Sequence, residues 1–183
     1  IFAIQSREAI QKLNLEEFKK VTEKLWISIK KIKNPKIEIK HISITKDAFP
    51  DETELILNKY LTFCSLQKDS NIRTVLQFIA FTVLEEISYT RKDGQYLRWD
   101  SRTKRKLSGK KEFNKGKILD FEFAITQKIN QILSDIKLED SELKLEGLVE
   151  EKEIFPTPNM NLLSGSCLEE LPKITPEIYN LTI

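Results

Sequence analysis

The sequence predicts a predominantly helical chain over residues 1–155 that leads into the edge of a doubly wound α/β sheet over residues 156–183. Two observations carry this expectation. Apolar residues return every three or four positions in four separate stretches, the signature of helices with a buried face. The tail instead alternates short extended runs with a single helical turn, which is the local grammar of an α/β sheet.

Asn14-Leu15-Glu16-Glu17 has the form of a capping box, with Asn14 as cap and Glu17 reaching back. Leu15, Phe18, Val21, Leu25, Trp26, Ile29 and Ile32 follow at helical spacing and predict one helix of about five turns. Asn34-Pro35 ends it, because proline brings no N–H to the ladder. Ile37, Ile39, Ile42 and Ile44 stand in near alternation with polar residues. They predict a short half-buried strand, or two extended pieces broken at His41.

A loop over residues 47–51, with Pro50 inside it, opens a second helix carrying Leu55, Ile56, Leu57, Tyr60 and Leu61. Ser70-Asn71 is expected to cap a third. That helix places Ile72, Val75, Leu76, Ile79, Ala80, Val83, Leu84 and Ile87 on more than one face, so it should lie at the centre of the core. A long connection marked by Gly94, Gly109 and Gly116 precedes a fourth helix beginning near Asp120. After Phe155-Pro156-Thr157-Pro158, residues 160–165 read as a buried strand and Ser166 as the cap of a short helix. Residues 178–183 read as the next strand.

At 183 residues, 40% hydrophobic and 32% charged, with 5 Gly and 6 Pro, the chain is neither low-complexity nor disordered as a whole. No apolar run approaches the roughly 18 residues of a membrane span. Arg7 and Glu8 interrupt the short apolar opening, so no signal peptide is expected. Cys64 and Cys167 make neither a metal spacing nor a disulfide framework, which leaves a reducing cytoplasm as the default. The chain opens at Ile1 without an initiator Met and stops inside an apolar β-branched run, and it is read as a piece of a longer protein.

The net charge of +2 conceals an asymmetry. Residues 91–117 hold 11 Lys/Arg against 3 Asp/Glu, whereas residues 135–153 hold 8 acids against 3 bases. The acidic stretch reads as a solvated helix end. The basic one raises the local concentration of anions and favours phosphate backbones by counterion release. It also interleaves aromatics with arginines: Arg91, Lys92, Arg98, Arg102, Lys104 and Arg105 could hold phosphates, and Tyr96 and Trp99 could stack on bases. The competing reading is a surface hairpin, turning at Gly94, whose Tyr96 and Trp99 pack down on the third helix while its charges face water.

Other chemistry is thinly represented. His41 is the one histidine, and an imidazole in an isoleucine-rich segment is far more often a packed or surface residue than a base or a metal ligand. Ser164 and Ser166 lack a Gly-x-Ser-x-Gly setting, and no dinucleotide or phosphate-binding glycine loop is present. Glu85 and Glu86 are adjacent and so face different sides of a helix. No catalytic constellation is expected in these residues.

Two segments together carry a resemblance. Asn161-Leu162-Leu163-Ser164-Gly165-Ser166-Cys167-Leu168-Glu169-Glu170-Leu171-Pro172, followed by Tyr179-Asn180-Leu181-Thr182-Ile183, resembles a recurring stretch of DNA methyltransferases that modify exocyclic amino groups. In that family a strand, a Gly-Asp or Gly-Ser pair, a short helix and a second strand lead directly to a catalytic Ser-Pro-Pro-Tyr or Asp-Pro-Pro-Tyr. Ile183 falls where that tetrapeptide would begin. The run from Glu85 through Tyr89-Thr90-Arg91-Lys92-Asp93-Gly94-Gln95-Tyr96-Leu97-Arg98-Trp99-Asp100, with Phe113-Asn114-Lys115-Gly116, is similar to a helical insertion of bacterial members. The opening residues, 2–13, are similar to the segment after the acidic strand that holds the cofactor ribose.

The resemblance implies a partial Rossmann-like S-adenosylmethionine-dependent methyltransferase fold with a large, mostly helical insertion. It implies S-adenosylmethionine as cofactor, with Ser166 and Cys167 beside its adenine; many members carry an acid where this chain has Ser166. It further implies methyl transfer to a base flipped from double-stranded DNA, cytosine N4 before adenine N6, in a restriction-modification system with a cognate restriction endonuclease. The catalytic tetrapeptide and the glycine-rich cofactor loop would lie outside this chain, which alone should be inactive. Two alternatives of other classes stay open: a non-enzymatic helical nucleic-acid-binding module, and a helical protein-interaction domain with a disordered basic loop.

Overall fold

A computed structural model describes residues 2–94, 96–107 and 112–146, the last ten of these as backbone only. Six helices and one two-stranded hairpin follow in the order α1 (Phe2–Gln11), α2 (Leu15–Glu23), α3 (Leu25–Lys31), α4 (Asp51–Ser65), α5 (Ser70–Val83), β1 (Thr90–Asp93), β2 (Tyr96–Trp99) and α6 (Phe121–Glu146). The α/β tail expected over residues 156–183 lies outside the described residues.

The centre is α5, which touches α1, α4 and α6. Its Ile72, Val75, Leu76, Ile79, Ala80 and Val83 are all buried, as a helix apolar on more than one face requires. The cap differs from expectation. Asp69, one residue earlier than Ser70, is the N-cap, and its carboxylate accepts from the amides of Asn71 (2.7 Å) and Ile72 (3.1 Å). A carboxylate at this position satisfies two orphan N–H groups and also meets the positive end of the helix dipole.

Asn14 caps α2 as expected, its side-chain oxygen accepting from the Glu17 amide at 3.1 Å. The predicted single helix over residues 15–32 is divided, however. The ladder breaks at Lys24 (φ −93°, ψ −3°), whose N–H turns back to the Thr22 carbonyl, and α3 begins at Leu25. Thr22 lies beside the break and bonds its hydroxyl to the Lys19 carbonyl at 2.9 Å, the kind of local bond that competes with helix propagation. With the break, Phe18 and Leu25 are both completely buried.

The strand expected from Ile37, Ile39, Ile42 and Ile44 does not form. Residues 37–42 form no regular element, residues 43–47 turn, with the Thr45 and Lys46 amides donating to the Ile42 carbonyl, and the first part pairs with side chains instead of a neighbouring strand. Thr62 Oγ1 accepts from the amides of Lys36 (3.0 Å) and Ile37 (3.1 Å), and Asn58 Oδ1 accepts from Ile39 (3.0 Å). Asn58 and Thr62 lie one turn apart on α4, so that helix supplies the acceptors a sheet would have offered. Ile42 and Ile44 are accordingly exposed. His41 is packed, as expected, with Nε2 3.1 Å from Glu54 Oε1.

An aromatic cluster joins three helices. Tyr60 of α4 meets Phe121 of α6 edge-on at 5.4 Å, and Trp26 of α3 meets the same ring edge-on at 6.2 Å. Tyr60 donates its hydroxyl to the Leu76 carbonyl of α5 (2.8 Å), and the Trp26 indole donates to Thr126 of α6 (3.0 Å). On α6, Asp120 accepts from Phe123 at the start, and Phe121, Ala124, Ile125, Ile129 and Ile132 are buried. Among the described residues, no helix is long and apolar enough to cross a membrane.

Candidate nucleic-acid interface

The basic block is built, in its first part, as a β-hairpin. β1 and β2 pair antiparallel with Thr90 opposite Trp99, Arg91 opposite Arg98, Lys92 opposite Leu97 and Asp93 opposite Tyr96. Gly94 supplies the turn at φ +59°, in the left-handed region that glycine enters without strain. Directly opposed residues share a face, so the register sorts the side chains. Thr90, Lys92, Leu97 and Trp99 lie on one face; Arg91, Asp93, Tyr96 and Arg98 lie on the other.

Thr90 is buried and Trp99 half-buried, so the first face turns toward the body at the base of the hairpin. Tyr96, by contrast, is 78% exposed and does not pack down on α5. Of the two aromatics in the competing hairpin reading, Trp99 alone is partly covered, and the Arg105 guanidinium carbon stands 4.7 Å from its ring centroid.

The anchor of the hairpin is Asp100, which sequence reasoning passed over as one acid among many bases. It is fully buried. Its carboxylate accepts from Arg102 Nε (2.7 Å), Arg102 Nη2 (2.8 Å), the Arg102 amide (2.9 Å) and the Lys115 amide (2.6 Å). The Arg102 guanidinium first, and then the Lys115 and Arg102 amides, hold this carboxyl well below the usual carboxylate range, against the opposing pull of burial. Around this knot the Asp100 amide donates to the Tyr89 carbonyl and the Tyr89 amide to Ala48. The Ser101 amide donates to the Phe113 carbonyl, tying the strand ends to residues 112–117.

The basic side chains therefore divide. Arg102 also donates to the Gly116 carbonyl (2.7 Å), Arg105 donates to the Ser43 carbonyl (2.8 Å), and Lys104 pairs with Asp51. Lys115 donates to the carbonyls of Ser88 and Glu85, and desolvation lowers its pKa. Arg102 thus ties the hairpin to residues 112–117, Arg105 and Lys115 tie it to Ser43 and to the chain just past α5, and Lys104 makes an exposed pair with the first residue of α4. Arg98 is held from the side, with its guanidinium over the Phe113 ring at 4.2 Å and bonded to Asp93 at 3.2 Å, but remains about half exposed. Arg91 and Lys92 are exposed.

Beside β1 an open groove of about 460 Å³ is lined by Arg91, Lys115 and Lys117 together with Glu85 and Glu86. Elsewhere the described residues hold no cluster of three His, Cys, Asp or Glu able to bind a metal. Cys64 is buried beside Tyr60, and burial pushes its thiol up to about 12, which makes it an inert core residue. Ser166 and Cys167, matched above to the cofactor's adenine, lie outside the described residues.

The chain is similar in sequence to known proteins. Over 147 residues, 79% of its length, the chain is 42% identical to the Type II methyltransferase M.AvaI of Nostoc sp., and equally to that of Anabaena variabilis. The chain is homologous to one part of the Type II methyltransferases. A further such relative, M.BsoBI of Geobacillus stearothermophilus, is 35% identical over a match that takes in 99% of the chain. The chain spans only 28% of the M.AvaI methyltransferase and 36% of M.BsoBI, about a third of the length of the curated relatives it matches. No family model matches. No solved structure matches either.

Proposed function

We propose that this chain is the DNA-facing part of an S-adenosylmethionine-dependent DNA methyltransferase of a restriction-modification system. The observation that carries the reading is the 42% identity to a Type II methyltransferase over four-fifths of the chain. The basic hairpin, with an exposed tyrosine near its turn, supports it from the side of geometry.

In this reading the partner is double-stranded DNA. Arg91, Lys92 and Arg98 meet it on the exposed hairpin, with Tyr96 at the tip and Trp99 bracing the base. Arg102, Lys104 and Arg105 add positive potential while their head groups stay on internal acceptors. Lys117, in the groove beside Arg91, extends the same basic surface. The product is a base methylated on its exocyclic amine, cytosine N4 in the first instance, and a cognate restriction endonuclease would cut the unmethylated site.

The cofactor would donate the methyl group. Ser166 and Cys167, which lie outside the described residues, are the positions that would stand beside its adenine. The work of the described region, in this reading, is to hold and orient DNA through the basic hairpin. The test is methyl transfer by the full-length protein from labelled S-adenosylmethionine to duplex DNA, followed by nucleoside analysis. Label in N4-methylcytosine is the expected result. Label in N6-methyladenine would correct the target base, and an unlabelled duplex under conditions where the cofactor binds would refute the reading.

A further inference from the structure

The hairpin places two arginines directly opposite one another, Arg91 and Arg98, on a single exposed face. Like charges in directly opposed positions destabilise a strand pair. One of the two is restrained: the Arg98 guanidinium carbon stands 4.2 Å from the Phe113 ring centroid, and Nη1 donates to Asp93. A guanidinium held by an aromatic face and a carboxylate keeps its remaining N–H fork pointed in a fixed direction, which lowers the cost of a bidentate contact. Tyr96, on the same face and one residue from the turn, is among the most exposed of the large hydrophobic side chains.

The dimensions fit a particular use. Two paired strands of four residues lie about 4.8 Å apart, and a two-stranded ribbon enters the major groove of B-DNA, which is about 12 Å wide. The Asp100 knot fixes the hairpin's base to the helical body, so the ribbon projects on a rigid mount. At its foot, Arg91 and Lys117 line a groove that Glu85 and Glu86 also line, so Arg91 is the exposed cation of this face nearest the body.

We infer that the β1–β2 hairpin is a base-reading ribbon and that Arg98 is a specificity-determining residue that takes the O6/N7 edge of a guanine in the major groove, with Tyr96 alongside. Arg91, opposite it and lining the groove, holds phosphate and sets register. This assignment rests on the DNA methyltransferase reading and adds to it which side chain carries sequence information. Asp93 contributes by orienting Arg98; it is a positioning residue.

The experiment incubates the full-length protein with a pool of randomised duplexes and sequences both the bound and the methylated fractions. Wild type is compared with Arg98→Ala, Arg98→Lys and Arg91→Ala. A good bidentate pair contributes roughly 10- to 100-fold discrimination, so Arg98→Ala should lose at least tenfold preference for guanine at one position and keep the preferences at the others. Arg98→Lys should restore overall affinity better than that preference. Arg91→Ala should weaken all sequences alike and lower the salt dependence by about one ion. Uniform weakening by Arg98→Ala, with a smaller salt slope, would overturn the base-reading role while leaving the hairpin on DNA. Unchanged preferences and affinity would overturn the assignment of the hairpin itself. If the wild type binds the pool but methylates none of it, the methyltransferase reading fails, and the bound fraction still decides the role of Arg98.

Discussion

Removing the Asp100 carboxylate is the perturbation whose cost the structure defines most sharply. In Asp100→Ala four donors lose their acceptor: Nε and Nη2 of Arg102, and the amides of Arg102 and Lys115. Hydrogen bonds to a charged acceptor contribute about 1.5–3 kcal/mol each, but not additively. The Arg102 side chain is 47% exposed and recovers water, so its two bonds count for little. The two amides are the costly orphans, and at the low end of the range they set the loss near ~3 kcal/mol.

The loss should be local, because the knot closes residues 88–117 and leaves the core of α4, α5 and α6 untouched. Native-state hydrogen exchange of the full-length protein reads it directly. The reporters are the Tyr89 and residue-100 amides, whose acceptors, Ala48 and Tyr89, survive the substitution. A drop of ~3 kcal/mol corresponds to roughly hundredfold faster exchange at both. Amides of α5 should be unchanged. Exchange within about threefold of wild type at the reporters would refute the knot as the hairpin's anchor.

Three further outcomes follow from the same geometry. Asp100 has its folded pKa depressed, so its stabilisation is complete above the ordinary carboxylate value of ~3.9 and is lost as pH falls from there through the lower folded value. Hairpin protection should therefore decline below about pH 4 in wild type, and Asp100→Asn, already weakened at neutral pH, should show no such decline. Gly94→Ala places a Cβ at φ +59°, which should cost about 1 kcal/mol in hairpin stability even though no neighbouring atom obstructs it; exchange at residues 90–99 reads this, and unchanged protection would contradict the turn geometry. In a Cys167→Ser background, Cys64 should resist iodoacetamide at pH 8 in the folded protein and react readily in urea, because burial pushes its thiol up to about 12; equal rates in both states would contradict its burial.

How much of this was legible in the sequence depended on whether a signal was local. The apolar spacing of Ile72, Val75, Leu76 and Ile79 and the start at Asp120 led directly to α5 and α6, since helical periodicity needs no distant partner. The turn at Gly94 was equally local. The isoleucines of residues 37–44 misled because alternation says that a segment is extended, not what accepts its N–H groups; Asn58 and Thr62 lie some twenty residues away. The division at Lys24 was hidden because the apolar spacing runs on across it.

At the interface, composition revealed the positive charge of residues 91–117 but not its allocation. Arg102, Lys104 and Arg105 looked the same as Arg91 and Arg98 in the sequence. Internal acceptors as distant as Asp51 and the Ser43 carbonyl separate them. Asp100 could have been noticed as one of three acids in a strongly basic run, since a carboxylate there implies an arginine partner.

The central claim is that the β1–β2 hairpin lies against duplex DNA in the working protein. Photo-crosslinking tests it most directly: duplexes substituted with 5-iodouracil are irradiated with the full-length protein, and the attached peptides are identified by mass spectrometry. The account predicts attachment within residues 91–99, Tyr96 foremost, and loss of that adduct in Tyr96→Ala without loss of binding. Adducts confined to other regions of the protein, with this peptide recovered unmodified, would contradict it.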